Sequence, residues 1–328
     1  MRLGRNFTNL LVYDYMPDRD KERFRAGKLT VPDMDATYQI KFKADLKRQI
    51  DAAGECGMTH VEIDGGIPNP FLRMKADERA AARDYARAKD ITLSLHLPYT
   101  FTAIGTCGFQ EEDRKAACKM LKRYLDFAAD LGCVSAVMHP GSIPYYQATG
   151  KYLESSDKNL FKSLVELGRY ANEKGIPLHL ENNTKWDPTH VKPEQSLPML
   201  DRVRAKGVDI FYCFDLAHTF TLVATTAEIP YPPDKAYEDI PAHYYNEIHI
   251  GDFVPEKTLF HPPLHQDAGL LKADDWARIF RIFRSKGVKT VVIETAVRER
   301  DDLINGRQIM LDESRYIKAI FDRVMAEA

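Results

Sequence analysis

Short apolar runs rich in β-branched and aromatic residues recur along the chain, each followed by a longer stretch with apolar positions three and four apart. The runs are Leu10–Tyr13, His60–Ile63, Thr92–Leu97, Ser135–His139, Pro177–Glu181, Ile210–Asp215, Glu247–Ile250 and Thr290–Glu294. They predict eight strands. The intervening spacing predicts helices over Tyr38–Cys56, Ala76–Lys89, Glu111–Leu131, Ser155–Lys174, Ser196–Lys206, Ala273–Lys286 and Asp312–Ala326. Three of these run into Lys174-Gly175, Lys206-Gly207 and Lys286-Gly287 just before the next strand, the glycine stop of a helix-to-strand connection.

Alternation of strand and helix repeated eight times over 328 residues predicts an α/β protein built as a closed (β/α)₈ TIM barrel, a single domain over residues 1–328. No Gly-x-Gly-x-x-Gly opens the first unit, which argues against a dinucleotide fold. Two connections are long, 14–36 and 218–245, the second broken by Pro230, Pro232, Pro233 and Pro241. Both are expected on the active-site face, where extra length shapes a wall or lid.

Charge changes this picture little. The chain has 46 Lys+Arg against 48 Asp+Glu, a net charge of −2, and so does not advertise a nucleic-acid binder. The basic run Arg19, Lys21, Arg23, Arg25 and Lys28 is interleaved with Asp18, Asp20 and Glu22, the mark of a solvated segment. Five scattered cysteines form no pair of zinc-binding Cys-x-x-Cys units, and no apolar run approaches the roughly 18 residues of a membrane span. The first residues carry no apolar leader, so the expectation is a cytoplasmic enzyme with reduced thiols and no membrane partner.

The candidate chemistry stands at the carboxyl ends of the predicted strands: His96, His139, Glu181, Asp215, His249 and Glu294. A barrel gathers all such ends into one bowl. One histidine or glutamate there is ordinarily structural. Six metal-capable side chains at equivalent points are not, because buried carboxylates without partners cost several kcal/mol and divalent cations compensate them. Glu181, Asp215, His249 and Glu294 together make an oxygen-rich four-ligand set suited to Mn²⁺, Mg²⁺, Co²⁺ or Zn²⁺. His96 and His139 would extend it to a second metal or bond substrate oxygens.

At these residues the sequence resembles the xylose-isomerase-like TIM barrels, which hold sugar and sugar-phosphate isomerases and epimerases together with the endonuclease IV group. The matching phrases are Leu95-His96-Leu97-Pro98-Tyr99-Thr100, Met138-His139-Pro140-Gly141-Ser142, Leu180-Glu181-Asn182-Asn183, Phe214-Asp215-Leu216-Ala217-His218, Ile248-His249-Ile250-Gly251-Asp252 and Ile293-Glu294-Thr295. The resemblance implies a divalent metal on Glu181, Asp215, His249 and Glu294, with Glu181 and Glu294 also the acid–base pair of the epimerase members. In the endonuclease members, residues matching His96, His139 and Glu181 look like ligands of an added zinc. His218 and a later Asp-x-His pair would hold a third. Here His261 is the candidate imidazole, but Leu259 stands where the aspartate would be.

The expected activity is therefore metal-dependent isomerisation or epimerisation of a sugar, sugar phosphate or sugar acid, by proton transfer next to a carbonyl. Strands five and eight are three apart in the ring, so Glu181 and Glu294 would reach opposite faces of the enediolate. His218 is a candidate for a substrate hydroxyl or second metal. Glu62, with Asp64, is a candidate for a sugar hydroxyl or for a salt bridge, and Lys185, Trp186 and Arg298 for an anionic or sugar-like substrate. Two alternatives stand beside this: a phosphodiesterase acting on abasic DNA, with Tyr99 beside the bowl, and a barrel that binds metal and ligand without catalysis. The expected partner is a small sugar-like molecule, with association between copies left open.

Overall fold

The computed structural model describes residues 1–222 and 233–327. Among the described residues there are ten strands: β1 (Arg2–Asn6), β2 (His60–Asp64), β3 (Thr92–His96), β4 (Ala136–Met138), β5 (Leu178–Glu181), β6 (Ile210–Cys213), β7 (Glu247–Ile250), β8 (Phe253–Val254), β9 (Leu259–Phe260) and β10 (Thr290–Glu294). Eight of them form one parallel sheet in the order β6-β5-β4-β3-β2-β1-β10-β7. The two ends of that order, β6 and β7, pack together, so the sheet curls into a nearly closed TIM barrel with helices between its strands. β8 and β9 form a separate antiparallel hairpin beyond β7.

Seven of the eight expected barrel strands lie where the apolar runs place them. The first does not. β1 is Arg2–Asn6, and the run Leu10–Tyr13 is instead a buried turn leading into a short 3-10 helix, Val12–Tyr15. The sequence hides β1 because its polar side chains are satisfied inside the protein. Arg5 reaches outward to Glu313 Oε2 at 2.7 Å and Ser314 Oγ at 2.8 Å on the helix Gly306–Ala326, with all three residues fully buried. Asn6 turns inward to the barrel axis.

Among the helices, Glu111–Leu131 and Ala273–Lys286 match their expected bounds. The expected helix Tyr38–Cys56 is two, Val31–Ala44 and Leu46–Glu55, because Asp45 caps the second through a bond from Arg48 N at 3.1 Å. The segment 14–36 is accordingly no plain loop: it contains the helix Asp18–Arg25 and the start of Val31–Ala44. Gly175, Gly207 and Gly287 take φ of 71°, 74° and 73°, the left-handed stop their sequence context predicts. Pro230 and Pro232 lie outside the described residues.

The barrel interior departs from the usual packing of Val, Ile and Leu. Within β2 (HVEID), β3 (TLSLH), β5 (LHLE) and β7 (EIHI), polar residues occupy alternate positions, and a strand sends alternate side chains to one face. That face meets the axis. His60 bonds Thr92 and Ser94, Ser94 donates to Glu247 Oε1 at 2.9 Å, and Glu62 meets His249. No helix among the described residues is long and apolar enough to cross a membrane.

Candidate active site

Glu181, at the end of β5, is fully buried and stands at the centre of four imidazoles. Its Oε2 lies 3.0 Å from His96 Nε2 and 3.3 Å from His139 Nε2; its Oε1 lies 3.1 Å from His249 Nδ1 and 3.5 Å from His218 Nδ1. Glu294, at the end of β10, reaches the same place from the other side, with Oε1 3.5 Å from His249 Nδ1 and Oε2 3.5 Å from His261 Nδ1. Asp215 follows β6 and caps the helix Leu216–Phe220, its Oδ1 accepting from Ala217 N at 2.7 Å and His218 N at 3.4 Å. That cap fixes the carboxylate and leaves Oδ2 buried without a hydrogen-bond partner among the described residues.

Two further bonds lock this wall. Asp215 N donates to Asn182 Oδ1 at 2.8 Å, and Asn182 Nδ2 returns a bond to Asp215 O at 2.9 Å, tying the ends of β5 and β6 together. His261 arrives from the β8–β9 hairpin with a left-handed backbone, φ 58°, held by His261 N to Asp252 O at 2.9 Å and Ala296 N to His261 O at 3.0 Å. Strain of that kind at a non-glycine residue is tolerated where surrounding bonds over-determine it. His261 Nε2 has no hydrogen-bond partner among the described residues and stands 3.5 Å from Asp215 Oδ2.

Ligating atoms of Glu181, Asp215, His249 and Glu294 all lie within 4.8 Å of one another. The donor set fits a divalent cation on three further counts. Four buried carboxylates (Glu62, Glu181, Asp215 and Glu294) share the bowl, and among the described residues no lysine or arginine bonds any of them. His249 donates through Nε2 to Glu62 Oε2 at 2.9 Å, which in the neutral ring leaves Nδ1 as a lone pair facing the Glu181 and Glu294 oxygens. Asp215 Oδ2 is an orphaned acceptor aimed at the same space. His96, His139 and Glu181 make a neighbouring set, and Asp215, His218, His261 and Glu294 another group within the same 4.8 Å span.

The electrostatics follow from this crowding. Burial opposes ionisation of Glu181, but His249, His139 and His96 outweigh it and hold the carboxylate well below its ordinary range. Glu294 is pushed well above it by burial and by the charges of Glu181 and Glu62. Burial works against a charged His96, yet its bond to Glu181 and the nearby glutamates lift it to about 10. Burial takes His139 down to about 3 and His261 to about 4.

A cavity of about 290 Å³ opens over these groups, bordered by His96, His139, His218, His261, Glu294 and Arg298 among others. Arg298 sits at its rim with the guanidinium 4.7 Å from the Phe260 ring centroid. Lys185 and Trp186 border it only indirectly: Lys185 lies 5.4 Å over the Trp186 ring, which packs 5.6 Å from Phe260, and neither lines the cavity. Glu62 is placed differently from expectation. It is fully buried beneath His249, its Oε1 accepting from Asn6 Nδ2 at 3.0 Å and its Oε2 from His249, and it is not among the residues that line the cavity. Asn6, which orients Glu62, Asn182, which ties β5 to β6, and Asp187, which lines the cavity, lie outside the expected set. Asn6 was hidden by the misplaced first strand. Glu62 was legible as an inward residue from the alternation in HVEID.

The profile of the family described as "Xylose isomerase-like TIM barrel" matches residues 50–320, most of the chain. The chain belongs to this family. Solved structures similar to it include a putative xylose isomerase from Rhodospirillum rubrum, at 15% identity and TM-score 0.69 over 97% of this chain and 99% of that one. D-psicose 3-epimerase in the presence of D-fructose matches at 15% identity and TM-score 0.67 over 99% of both chains. The same enzyme from Clostridium cellulolyticum H10, with D-tagatose, matches at 15% identity and TM-score 0.66 over 99% and 98%. An uncharacterized protein of Methanocaldococcus jannaschii is 26% identical over 133 residues, 40% of this chain, and the match spans 43% of that relative's length. At such identities the structural likeness shows the barrel, and the site's chemistry rests on the residues themselves.

Proposed function

We propose that this chain is a divalent-metal-dependent isomerase or epimerase of a sugar or a closely related hydroxy-carbonyl compound. The observation that carries the reading is the convergence of Glu181, Asp215, His249 and Glu294 within 4.8 Å, with no lysine or arginine among the described residues bonded to them. These four would hold the metal, as Mn²⁺, Mg²⁺, Co²⁺ or Zn²⁺. The solved structures that share the fold include sugar 3-epimerases, which supports the same class of substrate.

Removing a proton next to a carbonyl is slow because the enediolate is a high-energy anion. A bound cation would supply Lewis-acid stabilisation of negative charge on the substrate oxygens. The proton itself moves through the chain's own carboxylates. Glu181 and Glu294 approach from β5 and β10, on different sides of the bowl, and one removes the proton while the other returns it to the opposite face. His96, His139, His218 and His261, all neighbours of these two carboxylates, would bond substrate oxygens or extend the site to a second metal. Arg298 at the rim, with Lys185 and Trp186 farther out, would contact the portion of substrate that leaves the bowl. The segment 14–36 would wall the same face; of the segment 218–245, residues 223–232 lie outside the described residues. Five buried unpaired cysteines support a reducing, cytoplasmic setting.

The test is turnover of a ketohexose panel by Glu181→Gln and Glu294→Gln. Each is expected to lose about 10²–10⁴-fold, the usual worth of a positioned acid or base. Retention of more than about a tenth of wild-type turnover by either variant contradicts the role. One observation favours a second reading, a phosphodiesterase: His96 and His139 both approach Glu181 Oε2, at 3.0 and 3.3 Å. Clean, chelator-sensitive incision of an abasic-site duplex would promote it.

A further inference from the structure

Asp64 ends β2, which lies four strands from β6 in the barrel order, so Asp64 faces the metal-ligating wall from across the bowl. It is 7% exposed and lines the 290 Å³ cavity together with Glu294 and Tyr99. Its two oxygens are treated differently. Oδ1 accepts from Gly66 N at 2.7 Å. Oδ2 faces Lys43 Nζ at 3.0 Å. Lys43, 1% exposed, donates to the Gly66 carbonyl and forms a buried ion pair with Asp64 Oδ2, which as a carboxylate oxygen keeps a further acceptor site.

The surroundings are shaped to keep this oxygen available. A Cβ at Gly66 would fall 2.5 Å from the Tyr99 hydroxyl and 2.9 Å from Asp64 Oδ1, so only glycine lets the two approach. Tyr99 is itself set edge-on against His96, ring centroids 5.1 Å apart, and its hydroxyl has no hydrogen-bond partner among the described residues. Burial pushes the Asp64 carboxyl up, but the Lys43 charge and the Gly66 N–H outweigh it and keep the group ionised. Asp64, Asp187 and Glu294 line the cavity, and among its described lining residues Arg298, which stacks on Phe260, is the one lysine or arginine.

We propose that Asp64 Oδ2 and the Tyr99 hydroxyl form a subsite for the terminal hydroxyl of an unphosphorylated sugar, at the end of the substrate remote from the metal. An ionised carboxylate has lone pairs left to accept from a hydroxyl and no proton to donate to a phosphate oxygen. The subsite therefore makes the substrate a neutral polyol-ended ketose rather than a sugar phosphate. This rests on the isomerase reading above.

The experiment uses metal-loaded protein, a panel of ketohexoses, and the terminal-deoxy and terminal-phosphate forms of the best one, with turnover and calorimetric binding read together. Wild type is expected to lose roughly 10²-fold in kcat/KM for either modified form, since a site built around a hydroxyl discriminates sharply against its absence. Asp64→Asn is expected to raise KM about tenfold for the parent sugar and to leave the deoxy form within about twofold. Tyr99→Phe should show the same pattern, several-fold, and serves where the unpaired Lys43 prevents Asp64→Asn from folding. Equal kcat/KM for parent and deoxy sugar, or a phosphate turned over as well as the parent, overturns the subsite and leaves the isomerase reading intact. Binding that depends on the terminal hydroxyl without turnover of any ketose supports the subsite and sinks the isomerase reading. Absence of both binding and turnover overturns both.

Discussion

Glu62 shows how much of this site is organised one layer below the cavity. Its carboxylate takes the Nε2–H of His249 at 2.9 Å and is itself oriented by Asn6 at 3.0 Å, which leaves His249 Nδ1 facing the Glu181 and Glu294 oxygens. Partners of this kind set the tautomer of a ligating imidazole, and losing one typically weakens metal binding 10–100-fold. Glu62→Gln is therefore expected to weaken metal affinity about 10–100-fold by calorimetry on apo protein, with circular dichroism unchanged. Affinity within about twofold of wild type would mean that His249 needs no such partner. The residues that carry the chemistry were legible as strand-end histidines and carboxylates. Their support was not: Asn6 and Asn182 act through bonds to residues far along the chain, and nothing local in the sequence marks them.

At the scale of elements, the periodicity located seven barrel strands and missed the one whose buried face is polar. β1 is held against the helix Gly306–Ala326 by the fully buried pair Arg5–Glu313, and Glu313 also accepts from Leu264 N at 2.7 Å and Thr295 Oγ1 at 2.8 Å. One carboxylate thus joins the first strand, the loop before Ala273–Lys286 and the end of β10. Removing one partner of such a pair strands a buried charge. Arg5→Ala is expected to cost about 3–5 kcal/mol in urea unfolding. A loss below about 1 kcal/mol would show that β1 docks by its apolar side alone. The split of the expected helix Tyr38–Cys56 has a similar origin: Asp45 competes for the backbone as a cap, which a count of apolar spacing does not see.

Across the whole molecule, buried polar groups make stability depend on pH. His60 and His190 are both held near a pKa of about 4 by burial and are neutral in the folded state. The unfolded imidazoles titrate near 6.5, so below that the unfolded chain takes up protons that the folded chain does not. The stability they contribute is present above about pH 6.5 and is lost as pH falls toward about 4, on the order of 2 kcal/mol each between pH 7 and 5. His190→Asn, which keeps a side chain tolerant of the left-handed φ of 59°, is expected to shrink that loss in urea titrations at the two pH values. An unchanged slope would remove His190 from the account.

The central claim is that residues from four different strands converge to hold one cation. Elemental analysis of protein purified without added metal, with Asp215→Ala alongside, tests it most directly. The account predicts about one divalent ion per chain in wild type and almost none in the variant, because Asp215 Oδ2 is an acceptor that no other described residue satisfies. A wild-type chain that takes up no Mn²⁺, Mg²⁺, Co²⁺ or Zn²⁺ even on titration, or a variant as fully loaded as wild type, would contradict it.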